Sequence, residues 1–137
     1  MKRYNVPFII FINKLDRINA NPLRALDQLR KKLGLNCAFV YLPIGLEKDF
    51  RALIDIIENE IITFEGENGE IVNRDPLPSE YKEIRDEKFE ELVGALADAD
   101  EEIEELFLME ETPTKEQLHG GKYLLDTNVH HCCFCFR

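Results

Sequence analysis

The chain has 137 residues, 45% of them hydrophobic, which is enough apolar material for a packed core. Seventeen basic against twenty-seven acidic residues give a net charge of −10, so direct sequence-specific or charge-driven binding to nucleic acid is not expected. No apolar run approaches the roughly 18 residues of a membrane span, and Met1-Lys2-Arg3 with Pro7 close behind lacks the layout of a signal peptide.

The acidity is local. Ser79 to Glu111 carries fourteen acidic and three basic residues, while the remainder is close to neutral. Of the four cysteines, Cys132, Cys133 and Cys135 crowd into the last six residues and leave Cys37 alone, which is no disulfide framework. A reducing compartment follows, with Cys37 as a small apolar filler in a strand.

Val6 to Ile12 is a continuous apolar run rich in β-branched and aromatic residues, the pattern of a strand buried on both faces of a parallel sheet. A helix follows the polar residues after it. Asn21 can cap that helix, Pro22 suits its first turn, and Leu23, Leu26, Leu29 and Leu33 form an apolar stripe. Arg30, Lys31 and Lys32 complement the dipole in its last turn, and Gly34 can stop it in a left-handed conformation. Cys37 to Leu42 reads as a second strand, ended by Pro43 and Gly45. "GENG" at 66–69 predicts a hairpin turn before Ile71-Val72. Ser79 can cap a long helix with Tyr81, Ile84, Phe89, Leu92, Val93 and Leu96 on one face. A shorter acidic helix buries Ile103, Leu106 and Phe107, and Thr114 with Gln117 forms a capping box opening another helix at Lys115. From Gly120 onward the sequence shows no helical or strand period.

The chemistry lies where the first strand ends. Asn13, Lys14 and Asp16 stand just past its carboxyl end, where α/β sheets bind ligands. Guanine offers a ring N–H and an exocyclic amine side by side, and one carboxylate accepts from both; adenine offers no such pair. Since a buried acceptor left unpaired is costly, a single Asp discriminates between the bases. The Lys stem can lie over the ring with its ammonium in solvent, and the Asn amide can donate and accept at once. Asn-Lys-x-Asp after a buried strand is a guanine-reading pattern, against which stands the plainer use of Asn and Asp as caps in a strand-to-helix loop.

With "VPFIIFINKLDR" and "ANPLRALDQLRKKLG" read together, the chain resembles the translational GTPases, specifically the elongation factor G family. The likeness runs on through "CAFVYLPIGLEKDFRALIDIIENEIITFEGENGEIV" and "LPSEYKEIRDEKFEELVGALADADEEIEELFLMEE", covering residues 1 to 119. "MKRYNVPF" and "EELFLMEE" look most like the mitochondrial form. The resemblance implies an α/β fold: a partial P-loop GTPase domain in residues 1–34, comprising strand, NKLD loop and helix, followed by an α+β inserted subdomain in 35–119. It implies Asn13, Lys14 and Asp16 as guanine contacts, GTP or GDP as ligand, and Mg2+ in the full-length family. It further implies a ribosomal partner, met through the large-subunit stalk proteins by the acidic helices, and a place in the mitochondrial matrix; a cytoplasmic place is the alternative.

Several family features are missing from this sequence. No G-x-x-x-x-G-K followed by Ser or Thr is present, no switch segment precedes the triplet, and Gly120-Gly121-Lys122 is too short for a phosphate loop. The Ser-Ala pair that backs the guanine ring in the family is absent, because the pattern ends before it. No catalytic residue and no magnesium ligand is therefore assigned, and the chain alone is expected not to hydrolyse GTP. Met1 resembles an internal methionine of the family, which suggests a fragment of a longer gene. In the tail, 120–137, His130, His131, Cys132, Cys133 and Cys135 could ligate zinc, but adjacent ligands without a second pair do not match a structural site. Gly121-Lys122-Tyr123 can be encoded as GGT-AAG-TAT, which contains a splice-donor sequence, so the tail is expected to be translated intron. The competing expectation is a non-catalytic acidic interaction module; a small GTPase with divergent motifs is disfavoured by the missing phosphate loop.

Overall fold

A computed structural model describes residues 9–15, 17–66, 69–98, 101–109, 111–119 and 129–134. The fold mixes helices and strands, the α/β class expected from the sequence, with two sheets joined by the chain at Val40.

The first sheet is parallel. Strand β1 (Ile9–Ile12) leads through the polar loop into helix α1 (Pro22–Leu33), which returns the chain to β2 (Asn36–Phe39). Between them lies β7 (Val129–Phe134), giving the order β1-β7-β2. Its register pairs Ile12 with Phe134 on one side and Asn36 with Val129 on the other. This corrects one expectation: the tail contributes a strand despite its lack of a period, and that strand pairs with both β1 and β2. Residues 6–8 of the expected first strand lie outside the described residues.

Helix α1 forms as its termini dictate. The Asn21 side chain accepts from the Arg24 N–H at 2.9 Å, Pro22 occupies the first turn, and Gly34 ends the helix in the left-handed region at φ 58°. Only half of the predicted stripe is covered: Leu26 is buried and Leu29 packs on the core, whereas Leu23 and Leu33 are exposed. The Arg30 guanidinium donates to the Cys37 carbonyl at 2.9 Å and lies 3.5 Å from Glu91, tying this helix end to β2 and to the acidic helix below. Cys37 is buried in the strand, as expected.

The second sheet is an antiparallel meander, β3 (Tyr41–Ile44), β4 (Ala52–Asp55), β5 (Glu60–Glu65) and β6 (Ile71–Pro76). The expected single strand Cys37–Leu42 is thus two strands in different sheets. The break falls at Val40, whose carbonyl accepts from the Ile56 N–H at 3.0 Å instead of continuing either ladder. The hairpin predicted around "GENG" is the β5–β6 connection, with Glu65 paired to Ile71. Asp55, the buried charged residue of the described core, accepts from the Glu58 N–H at 3.0 Å and from Arg74 at 3.3 Å. Its carboxylate therefore has partners on both sides, as burial demands. The Glu60 hydrogen bond, with help from the Asp55 charge, holds Arg74 above its ordinary pKa although burial works against it.

Helices cover the junction. Ser79–Tyr81 form a 3-10 turn, so Ser79 opens that turn instead of capping the α-helix directly. Helix α2 (Lys82–Ala97) then buries Leu92, Val93 and Leu96 but leaves Ile84 exposed. The Asn36 amide donates to the Ala95 carbonyl at 2.8 Å, and Arg85 donates to the Ile56 carbonyl at 2.8 Å while lying 4.2 Å over the Phe89 ring. Lys88 bridges Glu87 and Glu91. Helix α3 (Glu101–Leu108) buries Ile103 fully and Leu106 in part, but Phe107 points to solvent at 47% exposure, unlike the expected stripe. Helix α4 (Lys115–His119) opens on the predicted capping box: the Thr114 N–H donates to the Gln117 side chain at 2.8 Å and the Gln117 N–H to Thr114 Oγ1 at 3.3 Å.

Candidate functional site

The polar residues after β1 form a compact loop built from two successive turns. The Arg17 N–H donates to the Lys14 carbonyl at 3.2 Å, and the Ala20 N–H to the Arg17 carbonyl at 3.0 Å. Asn13 and Lys14 are exposed at the carboxyl end of the parallel strand. The Asn13 side-chain oxygen accepts from the Lys14 N–H at 2.7 Å, which leaves the amide NH2 as its donor group. Lys14 takes a left-handed conformation, φ 62°, uncommon for a side chain of this kind and the geometry that turns the chain sharply out of the strand. Leu15 does the reverse of its neighbours and is 2% exposed, an apolar anchor between polar residues. Asp16, the predicted base-reading carboxylate, lies outside the described residues. Two of the three predicted residues are thus adjacent, exposed and at the strand end where ligands bind in such sheets.

The loop has a second support that sequence reasoning did not pick out. Glu47, in the 3-10 turn Glu47–Asp49 between β3 and β4, donates its N–H to the Leu15 carbonyl at 2.9 Å. Its carboxylate accepts from the Asn19 N–H at 2.7 Å. Glu47 and Asn19 are both left-handed, at φ 58° and 66°. The turn that delivers Glu47 depends on Gly45, at φ 77°, where an added Cβ would sit 1.9 Å from the Asp49 carbonyl oxygen. Gly45 was the visible signal: a glycine after Pro43 marks a tight turn, but nothing local says what the turn carries.

The sequence supplies no glycine-rich loop with Lys and Ser or Thr of the kind that holds nucleotide phosphates. Among the described residues no group of three or more His, Cys, Asp or Glu is placed to hold a metal. Of the tail residues weighed as zinc ligands, His130, His131, Cys132 and Cys133 belong to β7 and Cys135 lies outside the described residues. A separate open groove of about 800 Å³ runs between α2 and α3, lined by Arg85, Phe89, Val93, Phe107 and Leu108 among others.

No family model matches the chain. It is 47% identical, over 118 residues and 86% of its length, to a protein of Aedes aegypti named elongation factor G, mitochondrial. Proteins of the same name from Culex quinquefasciatus and Drosophila grimshawi are 44% and 48% identical over 121 residues, 88% of the chain. The chain spans 16% of the length of each of these relatives. Its fold matches part of a crystal structure from Thermus thermophilus with a TM-score of 0.74, over 98% of this chain and 20% of the other, at 22% identity.

Proposed function

Because the chain belongs to the elongation factor G family, in its mitochondrial form, we propose that it carries the guanine-reading corner and the inserted subdomain of a translational GTPase. The parent activity is GTP-dependent movement of tRNA and mRNA on the ribosome in mitochondrial protein synthesis, hence in the matrix. The observation that carries the reading is the Asn13-Lys14-Leu15-Asp16 loop at the carboxyl end of a parallel strand, with Asn13 and Lys14 exposed and Leu15 anchored in the core. In this reading Asp16 accepts from the two guanine donors, Lys14 covers the ring and Asn13 holds the loop while facing the base.

Phosphate contacts supply much of the affinity of such sites, so the chain by itself binds GDP at millimolar strength or weaker and does not turn over GTP. Titration of the 137-residue chain with GDP and with ADP, followed by amide chemical shifts, tests this. GDP is expected to shift Asn13 to Asn19 selectively, and Asp16→Asn to abolish the preference. Equal shifts with both nucleotides would dispose of base reading; a micromolar constant would dispose of the claim that only the base corner is present.

A second reading, a non-catalytic acidic module that contacts ribosomal stalk proteins, is favoured by the α2–α3 surface, where Ile84, Phe107, Leu108 and Met109 are exposed among acidic side chains. Capture of purified stalk protein by the chain, weakened by Phe107→Ser, supports it. Among the described residues no helix is long and apolar enough to cross a membrane.

A further inference from the structure

We propose that Glu47 is a positioning residue for the base-reading loop, fastening it to the β3–β4 connection so that Asn13 and Lys14 are presented in one fixed shape. The inference rests on the base-reading function proposed above and adds to it a residue remote in sequence. Glu47 grips the loop at two points: its N–H meets the Leu15 carbonyl at 2.9 Å, and its carboxylate meets the Asn19 N–H at 2.7 Å. Those two points hold the chain at Leu15 and at Asn19. Leu15, buried at 2% exposure, keeps the first point from drifting.

The backbone of Glu47 argues the same way. At φ 58° a glycine would be free of steric cost, and a glutamate is held there only when its surroundings over-determine it. Glycine would lose the carboxylate that closes on Asn19. A strained residue whose side chain spans 28 positions to hold a loop amide is the pattern of a support that the loop needs. Gly45 makes the strained turn possible, because its missing Cβ leaves room for the Asp49 carbonyl. The bracket also ties the loop to the second sheet, because Glu47 lies in the β3–β4 connection and holds both Leu15 and Asn19.

The test is amide hydrogen exchange together with the GDP and ADP titrations, on the full chain and on Glu47→Ala and Glu47→Gln. In the unmodified chain the Asn19 amide, in an exposed loop, is expected to be protected. Glu47→Ala should speed its exchange about tenfold or more, since a bond to a charged acceptor is lost, and should erase the preference for GDP. Glu47→Gln keeps an acceptor oxygen and should restore both to within about threefold. An Asn19 amide that exchanges freely in the unmodified chain overturns the proposal without any variant. A GDP preference that survives Glu47→Ala, or is lost equally in Glu47→Gln, overturns the positioning role while base reading stands. No GDP preference in the unmodified chain overturns base reading itself and the positioning role with it.

Discussion

Replacing glycine by alanine should have opposite signs at two places in this fold, and the contrast tests whether the β3–β4 turn is as tight as its geometry says. At Gly45 the backbone is at φ 77°, a region that costs an L-residue about 1–2 kcal/mol. The added Cβ would stand 1.9 Å from the Asp49 carbonyl oxygen and 2.7 Å from its carbon, both backbone atoms that no side-chain rotation can move. Relief requires a shift on the order of 1–2 Å to reach ordinary contact. That shift strains the Asp49 N–H bond to the Leu46 carbonyl and the Arg51 N–H bond to Ile44, each 3.0 Å long. One such bond is worth about 1 kcal/mol, so the total cost of Gly45→Ala is about 2–4 kcal/mol. Gly94 sits inside α2, and a Cβ there meets nothing within 4 Å. The only effect left is helix propensity, so Gly94→Ala should stabilise by about 0.5–1 kcal/mol. Urea unfolding followed by far-ultraviolet circular dichroism measures both, since the chain has no tryptophan. A loss under about 1 kcal/mol at Gly45, or any destabilisation at Gly94, would refute the reasoning.

Asp55→Ala removes the acceptor of the Glu58 N–H and the buried partner of Arg74, and is expected to cost about 2–4 kcal/mol in the same unfolding experiment. Asp55→Asn keeps an acceptor oxygen for the turn and should cost less than half of that; equal losses would mean that the charge, not the turn bond, is what matters. Alkaline pH acts through Lys88. Burial, the largest influence, pulls its pKa down, but the Glu87 and Glu91 hydrogen bonds and charges outweigh it and leave Lys88 above its ordinary 10.5. A raised folded-state pKa gives stability that is complete below the unfolded value and lost as pH climbs through the folded one. Melting temperature should therefore fall above about pH 10.5, and the fall should be shallower in Lys88→Met; identical slopes would exclude the Glu87–Lys88–Glu91 bridge as its source.

Features written in consecutive residues were legible in the sequence. Asn21, Pro22 and Gly34 set the ends of α1, "GENG" marked the β5–β6 hairpin, and Thr114 with Gln117 opened α4, because caps and turns are satisfied within four residues. The division of Cys37–Leu42 between two sheets was hidden, since the group that diverts Val40 is the Ile56 N–H. Period and propensity report which face is apolar, not which partner arrives. For the same reason β7 could not be read from "VHHCCF": a strand whose two neighbours are both parallel and distant in sequence needs no alternation of its own to be placed. Leu23, Leu33, Ile84 and Phe107 failed the other way, because an amphipathic stripe predicts burial only where another element lies against it. Asn13 and Lys14 stand out in the sequence because a motif sits in adjacent residues, whereas the contacts of Glu47 to Leu15 and Asn19 exist only through space.

The loop at the end of β1 accordingly depends on contacts distant in sequence. Its strand is hydrogen-bonded to β7, its anchor Leu15 packs in the shared core, and its far end is fastened to Glu47 in the β3–β4 turn. Helix α1 can form from its own caps, and the β3–β6 meander from short-range hairpins, before any of these three supports exists. A long-range contact must repay the entropy of closing the chain before it stabilises anything. This loop should then be among the last segments to order, and the first to open when β7 or the Glu47 turn is disturbed. Where the Glu47 hold is lost, nucleotide binding should weaken beyond what the missing phosphate contacts cause, because a loop that must be ordered by ligand gives up part of the binding energy in doing so. The two causes separate in the exchange experiment, because only loop disorder is visible at Asn19 before any nucleotide is added.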